Sequence, residues 1–254
     1  MEYIKRILSE TRRAVSDYGM IEPGDRIAVG VSAGKDSLAL LCALAELRRF
    51  YPVPFSLCAI TVDLGFPGGS DFSQIRALCE KLDVPYHVIP TQIYSVIFEE
   101  RKEKSPCSLC SKMRRGALHH AAAELGYNVV ALGHHQDDVV ETFLLNLFFE
   151  GRIGCFSPVT YLSRTKIRVI RPFLYVPEKE IRYFSGKVGL PVIESACPAD
   201  GNTERARIKS LIASMEQEHR GLRHRLFGAL TRGEIDGFHP VKKKPAKTEP
   251  DDES

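Results

Sequence analysis

Apolar residues follow two spacings along this chain, and the two alternate. Ile4, Ile7, Leu8, Val15 and Tyr18 recur at helical spacing over residues 3–18 with polar residues between them, which predicts an amphipathic helix. Pro23-Gly24-Asp25 turns the chain. The apolar run 26–31 predicts a first strand, and 37–49 a helix that Phe50 to Pro54 ends. Residues 55–62 are apolar and partly β-branched, the pattern of a strand buried in a parallel sheet. A helix over 71–82 turns Ile75, Leu78, Cys79 and Leu82 inward, and 86–89 makes a third strand. A short helix near 92–100 runs into a charged stretch. Residues 113–125 read as helix, 128–132 as a fourth strand and 139–149 as a strongly apolar helix.

Strands that alternate with helices predict an α/β fold with a doubly wound, parallel, Rossmann-like sheet and right-handed crossovers. Ligands in such folds bind at the carboxyl ends of the strands. Three polar turns stand at those ends: Ser32–Ser37, Asp63–Gly65 and Gly133–Asp138. Beyond Gly151 the pattern loosens. Segments 159–162 and 167–170 read as strands, and 177–187, 204–215 and 218–230 as helices. The expected organisation is an N-terminal helix (1–23), a main α/β domain with an inserted Cys-x-x-Cys segment (24–176), a helical C-terminal section carrying Cys197 (177–236) and a disordered tail (237–254).

Composition narrows the class without deciding it. The chain has 254 residues, 44% hydrophobic and 26% charged, with a formal net charge of +3. These are ordinary values for a globular protein with a real core. No apolar run is long enough to span a bilayer, and the first residues lack a signal-peptide core. A cytoplasmic location and no membrane partner are therefore expected. Seven cysteines are too scattered for a disulfide framework and read as core thiols or metal ligands.

The first chemical motif is Ser32-Ala33-Gly34-Lys35-Asp36-Ser37, between a strand and a helix start. Small residues let backbone N–H groups approach an anion, and a helix N-terminus favours negative charge. Lys35 supplies a point charge, and Ser32 and Ser37 can donate hydrogen bonds. It is not a Walker A loop, which needs four residues between Gly and Gly-Lys and then Ser or Thr. The form Ser-x-Gly-Lys-Asp-Ser resembles instead the pyrophosphate loop of the PP-loop ATPases, enzymes that cleave ATP to AMP and pyrophosphate. Most of them have Gly at the position of Ala33, so Ala33 is expected at negative φ.

The second motif is Gly133-His134-His135-Gln136-Asp137-Asp138, with Glu141-Thr142 one turn later. Adjacent carboxylates beside a phosphate loop suit Mg²⁺; an N-cap with a solvated second Asp is the plainer reading. The ATP site is expected to comprise Ser32 to Ser37, Val62, Asp63, Gly133 and Asp138, with Lys35, Asp36 and Asp137 catalytic. The third motif is Cys107-Ser108-Leu109-Cys110. By itself a Cys-x-x-Cys can be redox-active, zinc-binding or iron–sulfur-binding. No second Cys-x-x-Cys exists; His119 and His120 could contribute ligands, and Cys197, with small polar flanks, is the remaining candidate partner. Cys42, Cys58 and Cys79 read as buried thiols, and Cys155 stays open.

The run from Cys107 to Leu118, the segment Ala131 to Asp138, Asn146, Gly151, Ile170-Arg171-Pro172 and Cys197-Pro198 together closely resemble the TtcA family, the tRNA 2-thiocytidine biosynthesis enzymes. That resemblance covers about residues 24–215. It implies a PP-loop (HUP-type) fold and an ATP-dependent tRNA sulfurtransferase. It also implies a [4Fe-4S] cluster on Cys107, Cys110 and Cys197, catalytic through the sulfur it would carry. ATP and Mg²⁺ are the other implied cofactors. tRNA, a sulfur donor such as a cysteine desulfurase, and a second copy of the chain are the implied partners. Lys112, Arg114 and Arg115 beside the Cys pair, and Arg205 and Arg207 after Cys197, would form a basic rim for RNA; a solvated charged face is the alternative. A lysidine synthetase-like enzyme or another thiolation target, and a nucleotide-binding module with a structural metal, are the competing functions.

Overall fold

The computed structural model describes residues 2–102, 106–193, 197 and 203–241. Its centre is a six-stranded sheet. The strands are β1 (Arg26–Gly30), β2 (Ser56–Asp63), β3 (Tyr86–Pro90), β4 (Val129–Ala131), β5 (Val159–Leu162) and β6 (Ile167–Ile170). Their order is β3-β2-β1-β4-β6-β5. All neighbours are parallel except β5, which pairs antiparallel with β6 from Val159 opposite Ile170 to Leu162 opposite Ile167. The expected all-parallel sheet is thus corrected at one edge. A four-residue link between β5 and β6 is long enough for a hairpin and far too short for the crossover a parallel pair needs.

The helices are α1 (Lys5–Asp17), α2 (Lys35–Leu47), α3 (Ser73–Lys81), α4 (Pro106–Glu124), α5 (Gln136–Phe149), α6 (Glu178–Val188), α7 (Glu204–Glu218) and α8 (Leu222–Arg232). The helix read from 113 begins seven residues earlier, so both Cys107 and Cys110 lie in its first turns. Pro106 opens it, at the one helical position where the missing N–H costs nothing. The short helix near 92 is a π-helical turn, Ser95–Glu100.

The larger core cluster packs α2 against β1, with Leu38, Leu40, Leu41, Leu44 and Leu47 fully covered, and extends through α5, α6, α7 and α8. A second cluster on the other face joins Ala28, Cys58 and Ile60 to Leu118 and Ala122 of α4. The order of the sheet matters for function. β1 and β4 are central neighbours, so the turns that follow them, Ser32–Ser37 and Gly133–Asp138, meet. The chain stays packed past residue 237: Phe238 is fully buried against Tyr18 and Phe227. The Val241 N–H donates to the Asp17 carbonyl at 2.7 Å. Residues 242–254, the rest of the expected disordered tail, lie outside the described residues. No helix among the described residues is long and apolar enough to cross a membrane.

At the amino edge of the sheet Asp25 is only 3% exposed and fully engaged. It accepts from the Glu22 N–H at 2.8 Å and the Asn128 amide at 2.9 Å, and it pairs with Arg168. One carboxylate thereby ties the entries of β1, β4 and β6. A buried charge left without its partner is strongly destabilising. Arg168→Met is expected to cost about 3 kcal/mol in a urea titration; a loss under about 1 kcal/mol would mean the pair is no better than a surface ion pair.

Candidate functional site

The loop after β1 folds on itself. The Ser37 hydroxyl accepts from the Ser32 N–H at 3.1 Å and donates to the Gly34 carbonyl at 2.9 Å. Gly34 is extended and caps α2, and no side chain bonds the helix's first N–H groups. Those donors, with the positive end of the helix dipole, are a ready anion site. Ala33 overturns its expected conformation: its φ is +64°, in the left-handed region that costs a non-glycine residue about 1–2 kcal/mol. Two contacts hold it there. Its methyl is buried in the core, and its carbonyl accepts from the Ile193 N–H at 3.0 Å.

The turn after β4 presses on this loop. A Cβ on Gly133 would lie 3.1 Å from the backbone of Asp36 and Ser37, so only glycine fits without displacement. His135 and Asp138 then form a capping box on α5. The Asp138 N–H donates to His135 Nδ1 at 3.3 Å, and the Asp138 carboxylate accepts from the His135 N–H at 3.0 Å. This leaves His135 Nε2 facing Asp36 Oδ1 at 3.8 Å. That carboxylate oxygen is buried and has no hydrogen-bond partner.

Asp137 and Asp138 are both engaged already. Asp137 accepts from the Glu178 N–H at 2.7 Å and lies 3.0 Å from Arg223. Asp138 lies 3.5 Å from Arg205 besides its capping bond. Arg205, read as part of a basic rim, turns inward instead. It reaches Glu141 at 3.3 Å and the Thr142 hydroxyl at 3.0 Å. Arg207 pairs with Glu204 at 2.9 Å on its own helix. Lys112, Arg114 and Arg115 are exposed along the first half of α4.

Sequence reasoning missed the centre of this network, Glu178. It is 7% exposed at the start of α6. Lys35 approaches it at 3.1 Å, Lys209 at 2.8 Å and Arg182 at 3.2 Å. Burial alone would raise its pKa, but Lys209 and Lys35 overcome that and hold it down at about 2. Burial likewise opposes the Lys35 charge, and Asp36 and Glu178 more than offset it, so its pKa is raised. Nothing local marks Glu178: a Glu after Pro177 reads as an ordinary first-turn residue. Arg223 was missed for the same reason. Glu141, noted only for its spacing, is 2% exposed; burial and Asp138 raise its pKa.

The second turn, after β2, packs against β3. The Asp63 carbonyl accepts from the Thr91 N–H at 3.0 Å and hydroxyl at 2.7 Å. Gly65, at φ +75°, brings its α-carbon to a place where a Cβ would lie 2.6 Å from the Thr91 carbonyl. Val62 and Asp63 therefore stand at a carboxyl strand end beside the one that leads into the loop.

Cys107 is exposed and Cys110 half-buried on α4, one turn apart. The Cys110 thiol is pushed up by burial; Arg114 works against this, and the thiols of Cys197 and Cys107 add to it. Cys197 is half-buried, and its thiol is among the groups that act on the Cys110 charge. Among the described residues no three His, Cys, Asp or Glu side chains are gathered as ligands of a single ion. Cys42, Cys58 and Cys79 are buried core thiols, as expected. Cys155 joins them, its thiol against the Val139 carbonyl and pushed up to about 12 chiefly by burial.

Glu178 gives the site a pH dependence. Its folded pKa is depressed, so its stabilisation is present above about pH 4 and is lost as pH falls toward about 2. Acid titration with urea midpoints is expected to show about 3 kcal/mol more loss over that window in the native sequence than in Glu178→Gln. Parallel curves would refute this role.

Comparison with known proteins places the chain. The profile of the PP-loop domain matches residues 5–216. The tRNA-cytidine(32) 2-sulfurtransferase of Pelobacter propionicus is 43% identical over 230 residues, covering 89% of this chain and 85% of that protein. That of Geobacter sulfurreducens is 41% identical over 239 residues, covering 91% and 92%. Among solved structures, the U34-tRNA thiolase NcsA from Methanococcus maripaludis, with its [4Fe-4S] cluster, superposes with a TM-score of 0.75. At 24% identity over 91% of this chain and 78% of that one, the likeness is one of fold. The loop of Ser32 to Ser37, its glycine-tight contact with Gly133 and the long matches to these relatives agree: this chain belongs to the PP-loop proteins and, within them, to the family of the tRNA-cytidine(32) 2-sulfurtransferases.

Proposed function

We propose that this protein is an ATP-dependent tRNA sulfurtransferase that replaces the C2 oxygen of a cytidine, position 32 of the anticodon loop, with sulfur. The observation that carries the reading is the exposed Cys107 and half-buried Cys110, one turn apart at the start of α4 in a chain of this family. A carbonyl oxygen of a pyrimidine is a poor leaving group. Transfer of AMP to it makes it a good one, and pyrophosphate departs. The uncapped first turn of α2 and Lys35 are aimed to hold the departing pyrophosphate. Asp36 and Glu178 keep Lys35 charged while they hold it in place. Val62, Asp63, Gly133 and Asp138 complete the nucleotide site in this reading.

A [4Fe-4S] cluster fits the donor set, since thiolates are the ligands such clusters take. Cys107, Cys110 and Cys197 would hold it, and when bound it would present sulfur at an iron that no cysteine ligates. Arg114 beside Cys110 favours the thiolate that a ligand must be. Mg²⁺ does not fit Asp137 and Asp138 as they stand, because both carboxylates are already engaged. A single-stranded loop suits such a site because its bases can splay out, and Lys112, Arg114 and Arg115 are exposed cations for its backbone. A cysteine desulfurase as sulfur donor, a homodimer and a cytoplasmic location complete the proposal.

Three measurements test it. Nucleosides of tRNA from a strain lacking the gene are expected to have lost 2-thiocytidine, and a different missing nucleoside would redirect the assignment. Anaerobically purified protein is expected to be brown, with iron and sulfide, and to lose both in the triple variant Cys107→Ala, Cys110→Ala, Cys197→Ala; a colourless, zinc-loaded protein would overturn the cluster. Lys35→Ala is expected to keep the iron and lower tRNA-dependent AMP release at least about 100-fold. Unchanged AMP release would remove Lys35 from the reaction.

A further inference from the structure

Beyond the nucleotide loop and the cysteines, one buried cation has no counter-charge. Arg171 follows directly on β6 and is 9% exposed. Its Nη1 donates to the Ser157 carbonyl at 2.5 Å and the Thr160 hydroxyl at 3.2 Å, and its guanidinium lies 5.0 Å from the centre of the Phe156 ring. Among the described residues no carboxylate comes within ion-pair distance of it, and the groups that act on its charge are the Cys155 thiol and Arg115. A buried charge without a partner is costly to keep.

Its surroundings are basic. His134, just past β4, stacks on the other reach of Phe156 with ring centres 4.8 Å apart. His119 of α4 and His134 both feel the Arg171 charge. His119 Nε2, His134 Nδ1 and Arg171 Nε are all sealed from solvent without a hydrogen-bond partner. Arg115 stands exposed on α4 at the rim. Three unsatisfied nitrogens on three elements, around an unpaired guanidinium, call for an anion that accepts several hydrogen bonds.

We propose that Arg171, His119 and His134, with Arg115 at the entrance, form a subsite for one phosphate group of the RNA substrate. Position argues for that source. Arg171 follows β6, on the far side of β4 from the strand that leads into the loop that would hold the ATP phosphates, and His119 lies on the helix that carries Cys107 and Cys110; His134 alone belongs to the turn that meets that loop. Charge argues the same way. Burial and neighbouring arginine charge lower both imidazole pKa values, Arg115 and then Arg171 acting on His119, and Arg171 acting on His134, which is down at about 4. The buried part of the site then carries a single positive charge, which matches the single negative charge of a phosphodiester. The subsite rests on RNA being the substrate.

The full chain is titrated with a tRNA transcript over a series of salt concentrations, and separately with ATP and with AMP. Arg171→Gln is expected to weaken tRNA binding about tenfold and to flatten the salt dependence by about one charge, with ATP and AMP binding unchanged. Arg171→Lys is expected to restore the slope. Thr160→Val removes only the contact inside the chain and is expected to leave tRNA binding as it was. Equal tRNA affinity and slope in folded Arg171→Gln, or an equal loss in Thr160→Val, overturns the subsite. A loss of ATP or AMP affinity with tRNA binding intact assigns the phosphate to the nucleotide and overturns the RNA source. If thermal melting shows that Arg171→Gln does not fold, His119→Leu carries the test: it is expected to weaken tRNA binding with the salt slope unchanged, and its silence overturns the proposal. A native protein that binds no tRNA overturns the substrate reading itself.

Discussion

Glu178 is the constraint on which the nucleotide side of the molecule depends. One buried carboxylate holds Lys35 of the loop, Lys209 of α7 and Arg182 of its own helix. Its backbone N–H fixes Asp137 at the start of α5. Remove the carboxylate and three cations crowd together with only Asp36, beside Lys35, to offset them; remove a cation and a buried anion is left short. Such networks contribute little net stability compared with an apolar core of the same shape. What they do supply is position. The loop lysine is held at one place at the end of the sheet by a residue from the opposite half of the chain.

The same logic runs through the C-terminal helices. Arg205, Lys209 and Arg223 all point back at carboxylates of α5 and α6. These helices therefore do not form a separate lobe. They neutralise an acidic shelf, Asp137, Asp138, Glu141 and Glu178, that sits against the loop of Ser32 to Ser37. The Ile193 N–H on the Ala33 carbonyl adds a direct tie from the loop to the segment that leads to Cys197. Ala33 accepts a left-handed backbone inside this clamp, and local strain of that kind persists only where the surroundings over-determine it.

The sheet and the three polar strand ends were legible in the sequence because each rests on local or motif-level signals. β5 and β6 were readable as strands, but their relative direction depends on a short connection rather than on periodicity. The start of α4 was hidden because its first two turns bury almost nothing, so no apolar spacing announced them; Pro106 was the available signal. Ala33 was misjudged because residue type alone argues for negative φ, whereas the Ile193 contact across the fold decides it. Glu178, Arg223 and the inward turn of Arg205 were invisible for one shared reason. Their partners are distant in sequence, and a lone charged residue on a helix face reads as solvated until the facing helix is known. Phe238, near the start of a hydrophilic tail, was lost to composition averaging.

The two kinds of charge in the molecule divide its work. Toward the nucleotide, cations and carboxylates are matched, so the loop is rigid and Lys35 stays charged. Toward α4, among the described residues, they are not matched. Lys112, Arg114 and Arg115 are exposed, and Arg171 is buried among neutral rings. The thiols stand in that unmatched field. Burial raises the Cys110 pKa, Arg114 opposes it, and the thiols of Cys197 and Cys107 add to it. On the proposed reading, a cluster held by these thiols would need them deprotonated, and the exposed cations of α4 would favour that charge.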